Sequence, residues 1–188
     1  MWKNLISFDV GIKNMCFCLV KYTKSEYEII KWKTFEAKGK TISDVIENLI
    51  KYLRAEDISN INNVLIEQQM NNNIKMKVLS HVLQCYFICE QKIPIDSILF
   101  LSPKSRFETS EKTYKDIIES VSLGAINKRL AFKKLSIEVC GKILSDANNI
   151  SMYDYFHSHP KKDDLADCFL QFFSWYLKQK DNILILHK

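Results

Sequence analysis

The stretch KKDDLADCFLQFFSWYLK places Asp164 and Asp167 three residues apart at the head of an apolar segment. On a helix that spacing sets two carboxylates on one face, one turn apart. Advancing about 100° per residue puts Asp164, Asp167, Gln171, Ser174 and Lys178 within an arc of roughly 80°. The rest of the circumference is Leu165, Ala166, Cys168, Phe169, Leu170, Phe172, Phe173, Tyr176 and Leu177, with Trp175 near one edge. A helix this apolar packs on most sides, and both aspartates are expected to look out through one narrow slot. Acids in a first turn also complement the helix dipole. Asp163 is read as such a residue, and the Asp164/Asp167 pair taken alone reads no differently.

Two further acids change that reading. Asp9 lies in NLISFDV, whose alternation sets Leu5, Ser7 and Asp9 on one strand face and Ile6, Phe8 and Val10 on the other. A carboxylate inside an apolar strand needs a partner or a metal, because burying it unpaired is very costly. Glu67 closes a second apolar run, NVLIE. Acids from two strand ends and a packed helix can converge on one point. They repel one another there, and divalent cations relieve the repulsion. Hard oxygen ligands suit Mg²⁺, with Mn²⁺ able to substitute. Two such ions about 4 Å apart are a known arrangement for in-line attack of water on a phosphodiester. Asp9, Glu67, Asp164 and Asp167 are therefore the expected ligands, with two ions per site.

The positioning elements follow from periodicity. NLISFDV, MCFCLVKY and YEIIKWKTF read as three closely spaced strands, an antiparallel meander. Thr41 or Ser43 can cap a helix to about Leu53, with Val45, Ile46, Leu49, Ile50 and Leu53 at helical spacing. NVLIEQQ is a fourth strand, the Asn triplet at 71–73 a turn and cap, and IKMKVLSHVLQCYFICEQ a long helix. Pro94 opens a fifth strand, IDSILFLSP, expected parallel to the fourth. Residues 104–132 are irregular, a helix is expected near 129–145, SDANNISMYDYFHSHPKK is another irregular stretch, and the last helix runs from near Asp163 to about Lys178. The fold class is thus α/β, a five-stranded mixed sheet of three antiparallel and then two parallel strands, flanked by helices.

Composition bounds the rest. The chain has 188 residues, 47% hydrophobic, with 4 Gly and 3 Pro, which suits one domain over 1–188 without long disordered linkers. Asp9 interrupts the only apolar run near the start, so no secretory leader is expected, and no run is long enough to cross a membrane. The six cysteines make no Cys-x-x-Cys pair and read as buried free thiols in a reducing compartment. The His157–His159 pair is too weak a signal for a zinc site. The net charge is +5, and its surplus gathers in residues 103–142, with 9 basic and 5 acidic residues. Residues 103–132 form a basic, irregular segment within the domain, which favours a polyanionic partner.

ISFDVGIKN, VLIEQQ and KKDDLADCFLQ together resemble the RuvC-like Holliday junction resolvases, in particular the branch carried by poxviruses and other large DNA viruses. Asp-x-Gly alone also opens strand one in actin-like ATPases and sugar kinases; the trio in this order is more specific. The resemblance implies an RNase H-like fold and an endonuclease that resolves four-way DNA junctions by paired, symmetric, Mg²⁺-dependent nicks, leaving 5′-phosphate and 3′-hydroxyl ends. It maps the family's acids onto Asp9, Glu67, Asp164 and Asp167. It also implies a basic residue near the scissile phosphate, for which Lys133 and Lys134 are the candidates and Lys134 is preferred. The long 104–132 region departs from the family pattern and blurs that register.

A four-way junction has near two-fold symmetry, so a homodimer matches it. The helix near 74–91, with Met76, Leu79, Val82, Leu83, Tyr86, Phe87 and Ile88, is a candidate dimer element as well as ordinary core. Lys13, Asn14, Lys75, Lys77, Lys104, Arg106, Lys112, Lys115, Lys128 and Arg129 are candidates to grip phosphates. Gly11 either lets DNA backbone approach strand one or shapes the strand turn. The reduced thiols and the viral likeness imply a cytoplasmic protein. Rival readings are an RNase H-fold nuclease for other branched DNA or RNA–DNA hybrids, and a catalytically inactive junction-binding scaffold.

Overall fold

The computed structural model describes residues 1–70, 72–107, 115–116, 128–147 and 149–186, with backbone alone at 128, 129 and 181–186. Three strands, β1 (Lys3–Asp9), β2 (Met15–Tyr22) and β3 (Tyr27–Phe35), form the antiparallel meander that the close spacing predicts. After α1 (Ile42–Ala55), β4 (Ile61–Glu67) pairs parallel to β1. After α2 (Ile74–Cys89), β5 (Ile98–Leu101) pairs parallel to β4. The sheet order is β3-β2-β1-β4-β5. Then come a short 3-10 turn at Pro103–Phe107 and helices α3 (Lys128–Asp146), α4 (Ile150–Ser158) and α5 (Lys162–Leu186).

Local chemistry explains the boundaries. Thr41 caps α1: its hydroxyl accepts the Asp44 N–H at 3.2 Å, and the Asp44 carboxylate accepts the Thr41 N–H at 2.8 Å. Asn73 takes the cap position of α2 without a side-chain cap bond, and Asn71 lies outside the described residues. The fifth strand starts later than Pro94. The Ser97 N–H donates to the Pro94 carbonyl at 2.9 Å, and Ile95–Ser97 coils into a 3-10 turn before the ladder begins. The stretch read as irregular after residue 145 holds α4. Asn149 caps it, accepting the Met152 N–H at 3.2 Å.

The strand alternation divides the core into two layers. Ile6, Phe8, Val10, Phe17, Val64 and Ile66 pack with Leu49 and Leu53 of α1 and Leu79, Leu83 and Phe87 of α2. Leu5, Cys18, Val20 and Leu65 pack on the other face with Leu135 and Val139 of α3, Phe156 of α4 and Phe169 and Phe172 of α5. The Trp32 indole N–H on β3 donates to the Leu165 carbonyl at 3.0 Å and so ties the sheet to the head of α5. At the outer edge, β3 breaks register with β2 between Leu19 and Val20, and Lys31 and Lys33 pair with Glu56 at 3.3 and 3.0 Å.

Four thiols, Cys16, Cys18, Cys140 and Cys168, are buried as expected, but Cys85 and Cys89 are exposed. The reason is that α2 buries only Leu79, Ser80, Leu83, Tyr86 and Phe87 on its sheet face and turns both thiols outward. Among the described residues, no helix is long and apolar enough to cross a membrane.

Gly11 sits in the β1–β2 turn. A Cβ there would lie 2.1 Å from the Asn14 carbonyl oxygen and 2.9 Å from its carbon, both backbone atoms of the same turn. The turn itself therefore requires glycine. We expect Gly11→Ala to lower stability by about 1–3 kcal/mol, the usual range for an overpacked site. Urea denaturation checks this. A glycine needed only to admit a ligand would leave the midpoint unchanged.

Candidate active site

β1, β4 and β5 run parallel, so their C-terminal ends share one edge of the sheet. That edge is where open α/β sheets place their functional groups. Asp9 ends β1 and Glu67 ends β4. The period of two decides the face. Leu5 and Leu65 lie in the α5-side core, so Asp9 and Glu67, an even number of residues on, point to the same side.

The polar stripe of α5 meets them. Gln171 donates from Nε2 to Ser7 Oγ at 3.0 Å and to the Phe8 carbonyl at 3.3 Å. Ser174 donates its hydroxyl to the Ser105 carbonyl at 2.5 Å. Both side chains are buried. The middle of the stripe is therefore a seam docked on β1 and on the Pro103–Phe107 turn. Its acidic end stays partly open, and Lys178 at the far end is exposed. The helical period carries the acidic end to the strand termini, because Asp167 lies one turn before Gln171 and two before Ser174.

At the centre of the cluster is Arg106. Its Nη2 donates to Glu67 Oε1 at 2.9 Å, Nη1 pairs with Asp167 Oδ2, and Nε donates to the Pro103 carbonyl at 2.7 Å. Burial alone would lower the guanidinium pKa, but the charges of Asp167, Glu67 and Asp9 outweigh it and hold the group cationic. Gln69 donates to the other Glu67 oxygen, Oε2, at 2.8 Å. The Asp9 carboxyl is pushed well above the usual range. Burial is the largest cause, followed by the Glu67 and Asp167 charges; a hydrogen bond with Glu67 adds to this, and Arg106 opposes it.

One turn before Asp167, burial pushes the Asp164 carboxyl up to about 6, helped by repulsion from Asp163 and opposed by Lys133 and Lys161. Burial would also raise Asp163, yet its ion pair with Lys133 turns the net shift downward. Asp163 is thus the partner of Lys133 as well as a first-turn acid. Lys133 reaches the head of α5 from α3, whereas Lys134, preferred on sequence, is exposed. Adjacent helical residues point about 100° apart, so only one of the two can face the site.

Asp167 Oδ1 is buried and has no hydrogen-bond partner among the described residues. An orphaned carboxylate oxygen beside two more acids is the donor chemistry of a hard divalent cation. The residue types fit such an ion. Among the described residues, however, no three Asp, Glu, His or Cys side chains stand as a ready cage. Asp9, Glu67 and Asp167 close around Arg106, and Asp164 stands a turn away.

The candidate phosphate contacts divide. Lys13 and Asn14 lie in the β1–β2 turn beside Asp9, Lys104 in the turn after β5, and Lys75 and Lys77 at the head of α2; the four lysines are exposed. Lys115 is exposed as well. Arg106 differs from its prediction, because its side chain is only 14% exposed and is committed to acids. Lys112 and the side chains of Lys128 and Arg129 lie outside the described residues. Sequence reasoning missed Gln69 and Gln171 as orienting groups. For Arg106 there was a signal: the chain uses Arg only at 54, 106 and 129 among its 27 basic residues, and Arg is the side chain that bridges two carboxylates.

Asp164 supplies a pH test. Its folded-state value, about 6, lies above the ordinary 3.8, so the fold favours the neutral carboxyl. That contribution is complete below about pH 4 and is lost as the pH rises through about 6. Asp164→Asn keeps the side chain neutral. In metal-free buffer it is expected to raise the melting temperature near pH 7.5 but not near pH 4. An equal gain at both values contradicts the assignment.

No family model and no curated protein matches the chain. Solved structures do. A fowlpox virus resolvase in complex with substrate Holliday junction DNA is 20% identical, with 94% of this chain and 98% of that one covered and a TM-score of 0.59. The fowlpox virus Holliday junction resolvase by itself gives 19% identity, the same coverage and a TM-score of 0.59. A Thermus thermophilus RuvC in complex with a Holliday junction substrate gives 11%, 92%, 94% and 0.49. The five-stranded mixed sheet, its flanking helices and the two fowlpox virus structures give the chain the RNase H-like fold.

Proposed function

We propose that the chain is a divalent-metal-dependent endonuclease that resolves four-way DNA junctions, working as a single nuclease domain in the cytoplasm. The observation that carries this reading is the meeting of Asp9, Glu67 and Asp167, from β1, β4 and α5, at the sheet edge. Such a cluster is electrostatically costly, and costly clusters of acids gather at functional sites. The basic side chains Lys13, Lys75, Lys77 and Lys104 lie on elements that begin or end at this edge, where they suit a phosphate backbone.

Asp9, Glu67 and Asp167 would hold Mg²⁺, with Asp164 as the fourth ligand once ionised. Bound there, the cations would supply charge neutralisation and a lowered pKa for the attacking water. The chain's own residues do the rest. Gln69 and Gln171 hold the Glu67 carboxylate and the β1 end in place. Lys133 brings positive charge to the head of α5, where it serves a scissile phosphate better than exposed Lys134. Hydrolysis on this plan leaves 5′-phosphate and 3′-hydroxyl ends.

Paired symmetric nicks call for a two-fold dimer. All seven apolar side chains of α2 named from sequence join the core: Leu79, Leu83, Tyr86 and Phe87 are buried, and Met76, Val82 and Ile88 are partly buried against them. Where the partly buried side chains surface, an open groove of about 680 Å³ lies between α1 and α2, lined by Ile46, Ile50, Ile74, Val78 and Val82. We place the dimer contact there.

The test is cleavage of a synthetic four-way junction with Mg²⁺, compared with an RNA–DNA hybrid duplex. Symmetric nicks in the junction and an intact hybrid are expected. Asp9→Asn and Glu67→Gln should each cost on the order of a thousandfold in rate while junction binding in a gel-shift assay persists. Cleavage of the hybrid alone, or undiminished cleavage by Asp9→Asn, rejects the assignment.

A further inference from the structure

Arg106 is the one element of the site that a nuclease reading does not require. The guanidinium cannot shed its proton, and its fork is fully directed inward, to Glu67, to Asp167 and to the Pro103 carbonyl of its own turn. The backbone of that turn is separately pinned, because the Ser105 carbonyl accepts the Ser174 hydroxyl of α5. The side chain can therefore leave by rotating about its own bonds while the turn stays in place. The oxygens it occupies belong to two of the acids that would hold a cation. A lone pair given to a guanidinium N–H is not available to a metal, and a fixed positive charge in the cluster repels a second one.

Resting on the metal-dependent reading above, we infer that Arg106 is a built-in counter-cation: it keeps the carboxylates together without metal, and entry of a divalent cation displaces its fork from Glu67 and Asp167. Arginine and metal are then rival ligands for one set of oxygens, coupled with negative sign. The displaced guanidinium stays tethered at the rim of the site by a pinned turn, where its fork suits a phosphate of bound DNA. Arg106 is on this view a positioning residue that sets the metal concentration at which the site assembles.

The experiment uses Mn²⁺ alone, without DNA, titrated calorimetrically into the full chain. Wild type, Arg106→Gln, Arg106→Lys and Asp9→Asn are compared, with melting temperatures taken in chelator and in saturating Mn²⁺. Arg106→Gln is expected to bind Mn²⁺ at least about fivefold more tightly than wild type, the low end of measured site couplings. Its melting temperature should fall in chelator, where the acids lose their counter-ion, and recover toward wild type with Mn²⁺. Arg106→Lys keeps the charge but cannot bridge both carboxylates, so its affinity should lie between the two. Should Arg106→Gln not fold in chelator, Arg106→Lys carries the test by the same criterion, tighter binding than wild type.

Wild type that binds Mn²⁺, loses it with Asp9→Asn and gains nothing from either Arg106 variant overturns this inference and leaves the nuclease reading standing. Wild type and variants that all ignore millimolar Mn²⁺ overturn the metal reading, and this inference with it.

Discussion

Carboxylates brought to one point repel, and everything at the C-terminal edge of this sheet is arranged around that repulsion. Asp9 and Glu67 arrive on strands with no freedom to retreat, since β1 and β4 are hydrogen-bonded neighbours. Asp167 arrives on a helix locked to them by Gln171 and Ser174. Positive charge must therefore come to the acids. Arg106 brings it to Glu67 and Asp167, and Lys133 brings it to Asp163. Burial first, and then the neighbouring acids, push the Asp9 and Asp164 carboxyls up.

The same architecture couples the site to the core. α5 carries the terminal acids at its head, and its body, Phe169, Phe172 and Tyr176, meets Tyr22 and Tyr27 of the sheet in edge-on and tilted ring contacts. The Trp32 indole holds the head itself through the Leu165 carbonyl. The acids are thus placed on rigid elements, where geometry is set to fractions of an ångström by packing. Loops contribute the turn that carries Arg106 and the turn that carries Lys13.

Much of this was legible because two periodicities are robust. Alternation in NLISFDV, two residues per repeat, set Asp9 on one strand face with Leu5 and Ser7, and the apolar run NVLIE ended in Glu67; that the two acids share a sheet face depends on how β1 and β4 pair. The 3.6-residue period of the last helix put Asp164, Asp167, Gln171 and Ser174 on one stripe. The stripe's partner was not legible, since a helical wheel does not say whether polar side chains meet water or another backbone. The nine-residue Asn-capped helix ISMYDYFHS went unread because its apolar and polar positions do not separate by face. Lys133 and Lys134 could not be told apart, because one residue of register is 100° of direction. Cys85 and Cys89 looked buried among Tyr, Phe and Ile, yet a helix with one face on the sheet turns some of its apolar side to water. Arg106 was read as one more basic residue in a basic segment; its inward path depends on a tertiary contact between the β5 turn and α5.

The outer rim of β3 bears on how copies of the molecule can meet. A nine-residue strand with an unpaired flank is a natural template for another chain. Here the slip between Leu19 and Val20 adds local twist, and Lys31 and Lys33 set ammonium groups along the strand. Addition of a foreign strand would leave those charges poorly solvated. Sheet-to-sheet growth is discouraged at that flank, which leaves the helical faces as the surfaces on which a well-ordered assembly can form.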